Sequence, residues 1–174
     1  MRAGGVRTLL LAALLAVATL ARAEAWEAFF TPFLGDLRSE LADARKAGLK
    51  GVVVMYHFEE CPYCARMKAE ILSRPDVQKA FARDFHAIAV DTRGAVEITG
   101  ADGRAMPERD FAREQSVRGT PTFDFLSLDG KRIYRHTGAI YDADEFMLLG
   151  RYVASGSYRS RTFAEYKLLK PKGT

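Results

Sequence analysis

Gly51-Val52-Val53-Val54-Met55-Tyr56-His57-Phe58-Glu59-Glu60-Cys61-Pro62-Tyr63-Cys64-Ala65-Arg66-Met67-Lys68-Ala69-Glu70-Ile71-Leu72 decides the fold. Its first six residues are short, apolar, rich in β-branched side chains and opened by a glycine, which predicts a buried strand. From Ala65 the residues are good helix formers, with Met67, Ile71 and Leu72 on one side. Cys61 and Cys64 therefore fall at a strand-to-helix junction, in the first turn of a helix. The first backbone N–H groups of a helix have no partner within it, and with the helix dipole they favour negative charge at its start. A thiolate is the nucleophile of thiol–disulfide exchange, so this placement makes Cys61 reactive. Cys64, one turn further in, is placed to attack a mixed disulfide on Cys61 and release the partner. Pro62 suits the first helical position, where its missing N–H is not needed.

Two other uses of a Cys-x-x-Cys pair stay open on spacing alone. A structural disulfide closing so short a loop would contribute only about 2 kcal/mol in the chain-entropy model, against about 4.7 for a 100-residue loop. Half of a zinc site would need further ligands from His57, His86 or His136. The chain has neither a second cysteine pair nor closely spaced histidines, the usual companions of structural zinc. No metal is expected.

Upstream, Arg2 and Arg7 precede an apolar stretch from Thr8 to Leu20, and Ala21-Arg22-Ala23 fits a small-x-small cleavage pattern. Residues 1–23 read as a secretory signal and 24–174 as a single mature domain; Ala23-Glu24-Ala25 offers a second cut. The apolar stretch is short for a spanning helix, which needs about 20 residues. Removing the signal lowers Lys+Arg from 26 to 23 against 22 Asp+Glu, so the formal charge falls from +4 to +1. The basic balance belongs largely to the signal, and no nucleic-acid partner is implied.

Trp26 to Ala47 reads as a helical stretch with Thr31 as N-cap, Pro32 as first position, Phe33, Leu34, Leu37 and Leu41 on its apolar side, and Gly48 as its stop. Beyond the cysteines, Pro75 begins a short helix to Ala82. Phe85 to Val90 alternates as a strand. Val96 to Met106 folds into a small hairpin turning near Asp102-Gly103, and Pro107 to Gln115 is a short helix. Thr120-Pro121-Thr122 leads into a strand, Phe123 to Leu128. Asp129-Gly130 turns it back through Lys131 to His136. Asp142 caps a helix to Ala154, and Tyr158 to Leu169 is a further helix packing Phe163 and Tyr166. Two early strands joined through the cysteine helix make a parallel βαβ unit, and the later hairpin adds antiparallel strands. The expected class is α/β, a mixed central sheet flanked by helices, with a hairpin insertion and an extra C-terminal helix.

Cys61-Pro62-Tyr63-Cys64 at this junction, with Thr120-Pro121-Thr122 entering a later strand, resembles the thioredoxin fold over roughly Gly48 to Ala154. More narrowly, Glu60-Cys61-Pro62-Tyr63-Cys64, the Val96–Met106 insertion, Val117 to Thr122, Asp129-Gly130-Lys131 and the tail resemble the periplasmic SoxW-type thioredoxin-like proteins of sulfur-oxidising bacteria. The resemblance implies a cis Pro121 facing the cysteines, with Thr120, Pro121, Pro62 and Tyr63 shaping a substrate groove. It implies a cofactor-free thiol–disulfide oxidoreductase with Cys61 as nucleophile and Cys64 as resolving residue. Its expected partners are a disulfide-containing periplasmic protein or a thiol substrate, and a membrane thiol carrier of the CcdA or DsbD type as electron donor. Two rivals are a DsbA-like donor of disulfides, whose large helical insertion has no counterpart here, and a non-catalytic binding or chaperone module on the same scaffold. Ordinary thioredoxins carry a buried Asp six residues before the first cysteine; Met55 stands there. Glu59, Glu60 or water are the stand-ins the sequence offers for that proton acceptor.

Overall fold

A computed structural model describes residues 25–169. The segment 1–23 read as a signal, and with it the cut after Ala23, lies outside them.

Strand β1 (Gly51–His57) is the spine of the molecule. It pairs in parallel with β2 (Phe85–Asp91), Gly51 opposite Phe85 and His57 opposite Asp91. On its other side it runs antiparallel to β5 (Thr122–Ser127), Met55 opposite Phe123. Strand β6 (Arg132–Thr137) closes the far edge, giving the mixed order β2-β1-β5-β6. Because β1 is central and both faces are covered, its apolar run has no solvated side, as a near-continuous hydrophobic strand requires. Alternation divides it: Val53 and Met55 face one core, and Val52, Val54 and Tyr56 face the other. A side chain at Gly51 would run into the Leu126 carbonyl across the strand pair, which is why the strand opens with glycine.

The helices distribute over the two faces. On the first lie α2 (Pro62–Met67), prolonged by a π-helical turn, Lys68–Leu72, then α3 (Pro75–Ala82) and α5 (Ala143–Ala154). Phe81 and Phe146 stack there with ring centroids 4.5 Å apart. On the second lie α1 (Leu37–Lys46) and α4 (Glu108–Glu114). The expected insertion is a two-stranded hairpin, β3 (Glu97–Thr99) with β4 (Ala105–Pro107), beside α4. Its turn uses Gly103 in the left-handed region, φ +85°. Asp142 caps α5 by accepting the Glu145 N–H at 3.0 Å.

Two elements differ from the sequence reading. The stretch read as one helix from Trp26 is a 3-10 turn, Glu27–Phe29, and then an α-helix that starts at Leu37, capped by Asp36, whose Oδ1 accepts the Arg38 N–H at 2.9 Å. Thr31 is not an N-cap; its N–H and hydroxyl both donate to the Ala87 carbonyl, so the segment docks beside β2. Gly35 enforces the late start, because its φ of +88° is left-handed and a helix cannot pass through it. Leu34, read as part of the apolar side, is 95% exposed. The tail is not one helix either. It is a 3-10 turn, Ser157–Arg159, followed by α6 (Phe163–Leu169). Thr162 and Glu165 form a reciprocal capping box there, Thr162 N–H to Glu165 Oε2 at 2.7 Å and Glu165 N–H to Thr162 Oγ1 at 3.2 Å. Phe163 and Tyr166 pack on Tyr152 as expected. No helix among the described residues is long and apolar enough to cross a membrane.

Candidate active site

Cys61 and Cys64 are joined by a disulfide at the head of α2, with Cα atoms 5.2 Å apart. The local sequence dictates this geometry. Cys61 is the N-cap, in extended conformation at φ −74° and ψ 107°, and Pro62 occupies the first helical position. The Cys61 Sγ accepts the Cys64 N–H at 3.2 Å, so an otherwise orphaned helical donor is aimed at sulfur. Both cysteines are buried, while Tyr63 between them is 62% exposed.

The second half of the site comes from the segment before β5. The Thr120–Pro121 peptide bond is cis, as the resemblance implied. Thr120 Oγ1 donates to Cys61 Sγ at 3.2 Å, and the Thr120 carbonyl oxygen lies 3.7 Å from the same sulfur. The segment is fixed on both sides: Thr122 Oγ1 donates to the Gly119 carbonyl at 2.7 Å, and Gly138 N–H donates to the Pro121 carbonyl at 2.9 Å. Residues 59 positions apart in sequence thus meet at one sulfur, with two donors directed at it. Sulfur carries negative charge when the bond is broken, and hydrogen bonds to the charged form favour that form.

Around the dithiol, two arginines lie over aromatic rings. Arg66 sits 4.0 Å above Tyr141 while also pairing with Glu70, and Arg93 sits 3.8 Å above Phe58. Arg93 also holds Glu60 at 3.1 Å, on a side chain that is 70% exposed. Glu60 is therefore a surface group, and Glu59 is exposed as well. Met55, by contrast, is fully buried in the cysteine-side core.

Sequence reasoning passed over one contact. Lys68 Nζ lies 3.3 Å from His57 Nδ1 and 4.1 Å over the Trp26 ring. Burial, then the neighbouring Lys68 charge, pulls His57 down to about 4, so it is neutral at neutral pH. Burial also lowers Lys68, against the pull of Asp91 and Glu27. The spacing of Cys64 and Lys68 places those two on one side of a helix, but no local pattern brings His57 or Trp26 to Lys68. Among the described residues no cluster of three metal-binding side chains occurs.

A thioredoxin-like domain model matches residues 37–154. The chain belongs to the thioredoxin-like family. Among solved structures, a thioredoxin-fold protein from Helicobacter pylori superposes with a TM-score of 0.65 at 16% identity, covering 86% of this chain and 99% of its own. A thioredoxin from Thermus thermophilus superposes with a TM-score of 0.54 at 29% identity, covering 71% of this chain and 92% of its own. No curated protein matches the sequence. A thioredoxin-like domain that carries a Cys-x-x-Cys disulfide at the head of its helix belongs in general to the thiol–disulfide oxidoreductases.

Proposed function

We propose that this thioredoxin-like protein is a periplasmic reductant of protein or small-molecule disulfides. Cys61 is the attacking thiolate, Cys64 resolves the mixed disulfide, and Thr120, Pro121, Pro62 and Tyr63 form the groove that receives the partner. The observation that carries this reading is the paired donation onto Cys61 Sγ, from Cys64 N–H and Thr120 Oγ1, both at 3.2 Å. When a disulfide partner is reduced, the Cys61 thiolate attacks one of its sulfurs and the first partner thiolate leaves. Cys64 then attacks Cys61 Sγ, the Cys61–Cys64 bond forms, and the second partner sulfur leaves and takes up a proton. Two electrons pass to the partner, and a thiol donor must restore the dithiol. A membrane thiol carrier of the CcdA or DsbD type fills that place in our reading, and the SoxW-like sequence features support a link to sulfur oxidation. Export rests on the N-terminal pattern of Arg2, Arg7, the apolar Thr8–Leu20 stretch and Ala21-Arg22-Ala23.

Equilibration of the dithiol against glutathione and dithiothreitol tests the reading. A reduction potential near the thioredoxin end, about −270 mV, is expected of a reductant. A value near about −120 mV would replace it with a donor of disulfides. Cys61→Ser should abolish exchange altogether; full activity of that variant in a complementation test would favour a non-catalytic binding module.

A further inference from the structure

Among the described residues the buried carboxylates are Asp124 and Glu40, and neither belongs to the cysteine-side core, whose buried members, among them Met55, Met67, Phe81 and Phe123, are hydrophobic. Cys64 must nevertheless lose its proton before it can attack a mixed disulfide. Two ionisable groups in contact, Lys68 and His57, lie on the cysteine side of the sheet. Lys68 stands one turn beyond Cys64, its N–H donating to the Cys64 carbonyl. Helical side chains lean back toward the helix N-terminus, so the Lys68 stem leans toward Cys64. His57 lies on the same face of β1 as Met55, two residues on. Its Nδ1 and the Trp26 ring face hold the Lys68 ammonium at 3.3 and 4.1 Å. Both are acceptors suited to a cation, and both are uncharged.

We propose that Lys68, anchored by His57 and Trp26, is a positioning residue that favours the thiolate of Cys64 during the resolving step. The inference rests on the dithiol-exchange reading above. In that step the Cys64 proton passes to water, and the Cys64 sulfur attacks Cys61 Sγ. The Cys61–partner bond breaks and the partner thiolate takes a proton from water, so the overall change is a mixed disulfide and a thiol giving an internal disulfide and a free partner thiol. A cation one helical turn from Cys64 stabilises the charged form that attacks. The other charged groups facing Lys68 are Asp91 on β2 and Glu27 in the 3-10 turn Glu27–Phe29. Glu27 is exposed, and Asp91 is half-buried with one carboxylate oxygen accepting the Arg93 N–H at 2.8 Å. Solvent therefore screens the first more than it screens the half-buried ammonium.

The chain has two cysteines, so in full-length Cys61→Ser protein the thiolate absorbance titrates Cys64 alone. Adding Lys68→Met should move that titration upward in pH by roughly one unit, a tenfold change in the ionisation constant. Lys68→Arg should stay near the parent. Lys68→Gln, which keeps a polar tip, provides the same reading should Lys68→Met fold poorly by circular dichroism. In the two-cysteine protein, Lys68→Met should slow decay of the partner mixed disulfide while leaving its formation unchanged. Superimposable Cys64 titrations with and without Lys68 would overturn the inference. Exchange of the wild-type dithiol with glutathione is scored separately. If it is absent, the oxidoreductase reading falls while the Cys64 titration still decides the role of Lys68. If it is present and the titration does not move, Lys68 alone is refuted.

Discussion

The two faces of the sheet handle buried charge in opposite ways. The face under the dithiol is apolar, packed by Phe81, Phe123, Phe125 and Phe146 around the cysteines. The opposite face contains the buried carboxylates among the described residues: Asp124, with no exposed surface, and Glu40, 8% exposed. Asp124 sits on β5 between Phe123 and Phe125, so strand alternation alone turns it away from the cysteines. It accepts two hydrogen bonds from Arg135 on β6, both at 2.6 Å, and Arg132 lies 3.6 Å away. Arg135 also donates to the carbonyls of Gln115 and Ser116, at 2.8 and 3.2 Å. Ser116 has a φ of +56°, a left-handed turn that ends α4. One ion pair thus ties two strands to the end of a helix, and it does so across the sheet from the dithiol.

The two faces should also break differently. Phe146→Ala removes a ring that stacks on Phe81 and touches Phe29 and Phe123. It should cost about 3–5 kcal/mol through the cavity it leaves. Asp124→Ala should cost a similar amount, about 3–5 kcal/mol, for another reason: it strands the Arg135 guanidinium without its partner. The double variant Asp124→Leu/Arg135→Met separates the two mechanisms. Replacing a buried pair by apolar groups is often neutral or better, so the double variant should recover most of the lost stability in urea unfolding, whereas the cavity at Phe146 has no such remedy. Thiol exchange by folded Asp124→Ala protein should match wild type, because the pair lies across the sheet from Cys61.

Acidification should separate the faces by sign. His57, on the dithiol side, has a folded value of about 4, below its ordinary 6.5, because burial and Lys68 disfavour its charge. The unfolded chain binds that proton first, so the stability contributed by neutral His57 is present above pH 6.5 and lost as pH falls toward about 4. His57 is partly solvated, so the loss should be on the order of 2 kcal/mol rather than the full value of the shift. Glu40, on the other face, is raised by burial, with His86 acting in the opposite direction. The folded chain holds that proton longer, so its contribution is present at acid pH and fades as pH rises through the folded value. His57→Gln should flatten the loss between pH 6.5 and 4, and Glu40→Gln should steepen it. Unfolding curves that keep the wild-type slope in His57→Gln would assign the acid sensitivity elsewhere.

What the sequence revealed follows how local each cause is. The strand–CxxC–helix junction depends on adjacent residues and was legible, as were the Asp142 cap and the Gly103 turn. The cis Thr120–Pro121 bond was legible only through family resemblance, because its meeting with Cys61 spans 59 positions. Gly35 was visible, yet the apolar spacing of Phe33, Leu34, Leu37 and Leu41 concealed that its positive φ starts the helix later. The Asp124–Arg135 pair depends on the register of β5 against β6, which includes a shift between Phe125 and Leu126. No local pattern encodes that register, and the Lys68–His57 contact similarly needs β1 and α2 placed side by side.

Glu60 gives the smallest expected effect and the sharpest test of where the site ends. Its sequence position beside Cys61 offered it as a stand-in proton acceptor for Cys64. Its carboxylate instead reaches Arg93 at 3.1 Å on the outer surface, and Arg93 lies over Phe58. Exposed pairs of this kind contribute little, so Glu60→Ala should leave exchange rates within about twofold of wild type. The pH profile should keep its shape, because no group buried behind Cys64 has been touched. A profile displaced toward higher pH in Glu60→Ala would place the proton acceptor on the rim instead of behind the helix. It would also erase the division between a charged surface and an apolar interior on which the contrast between the two faces rests.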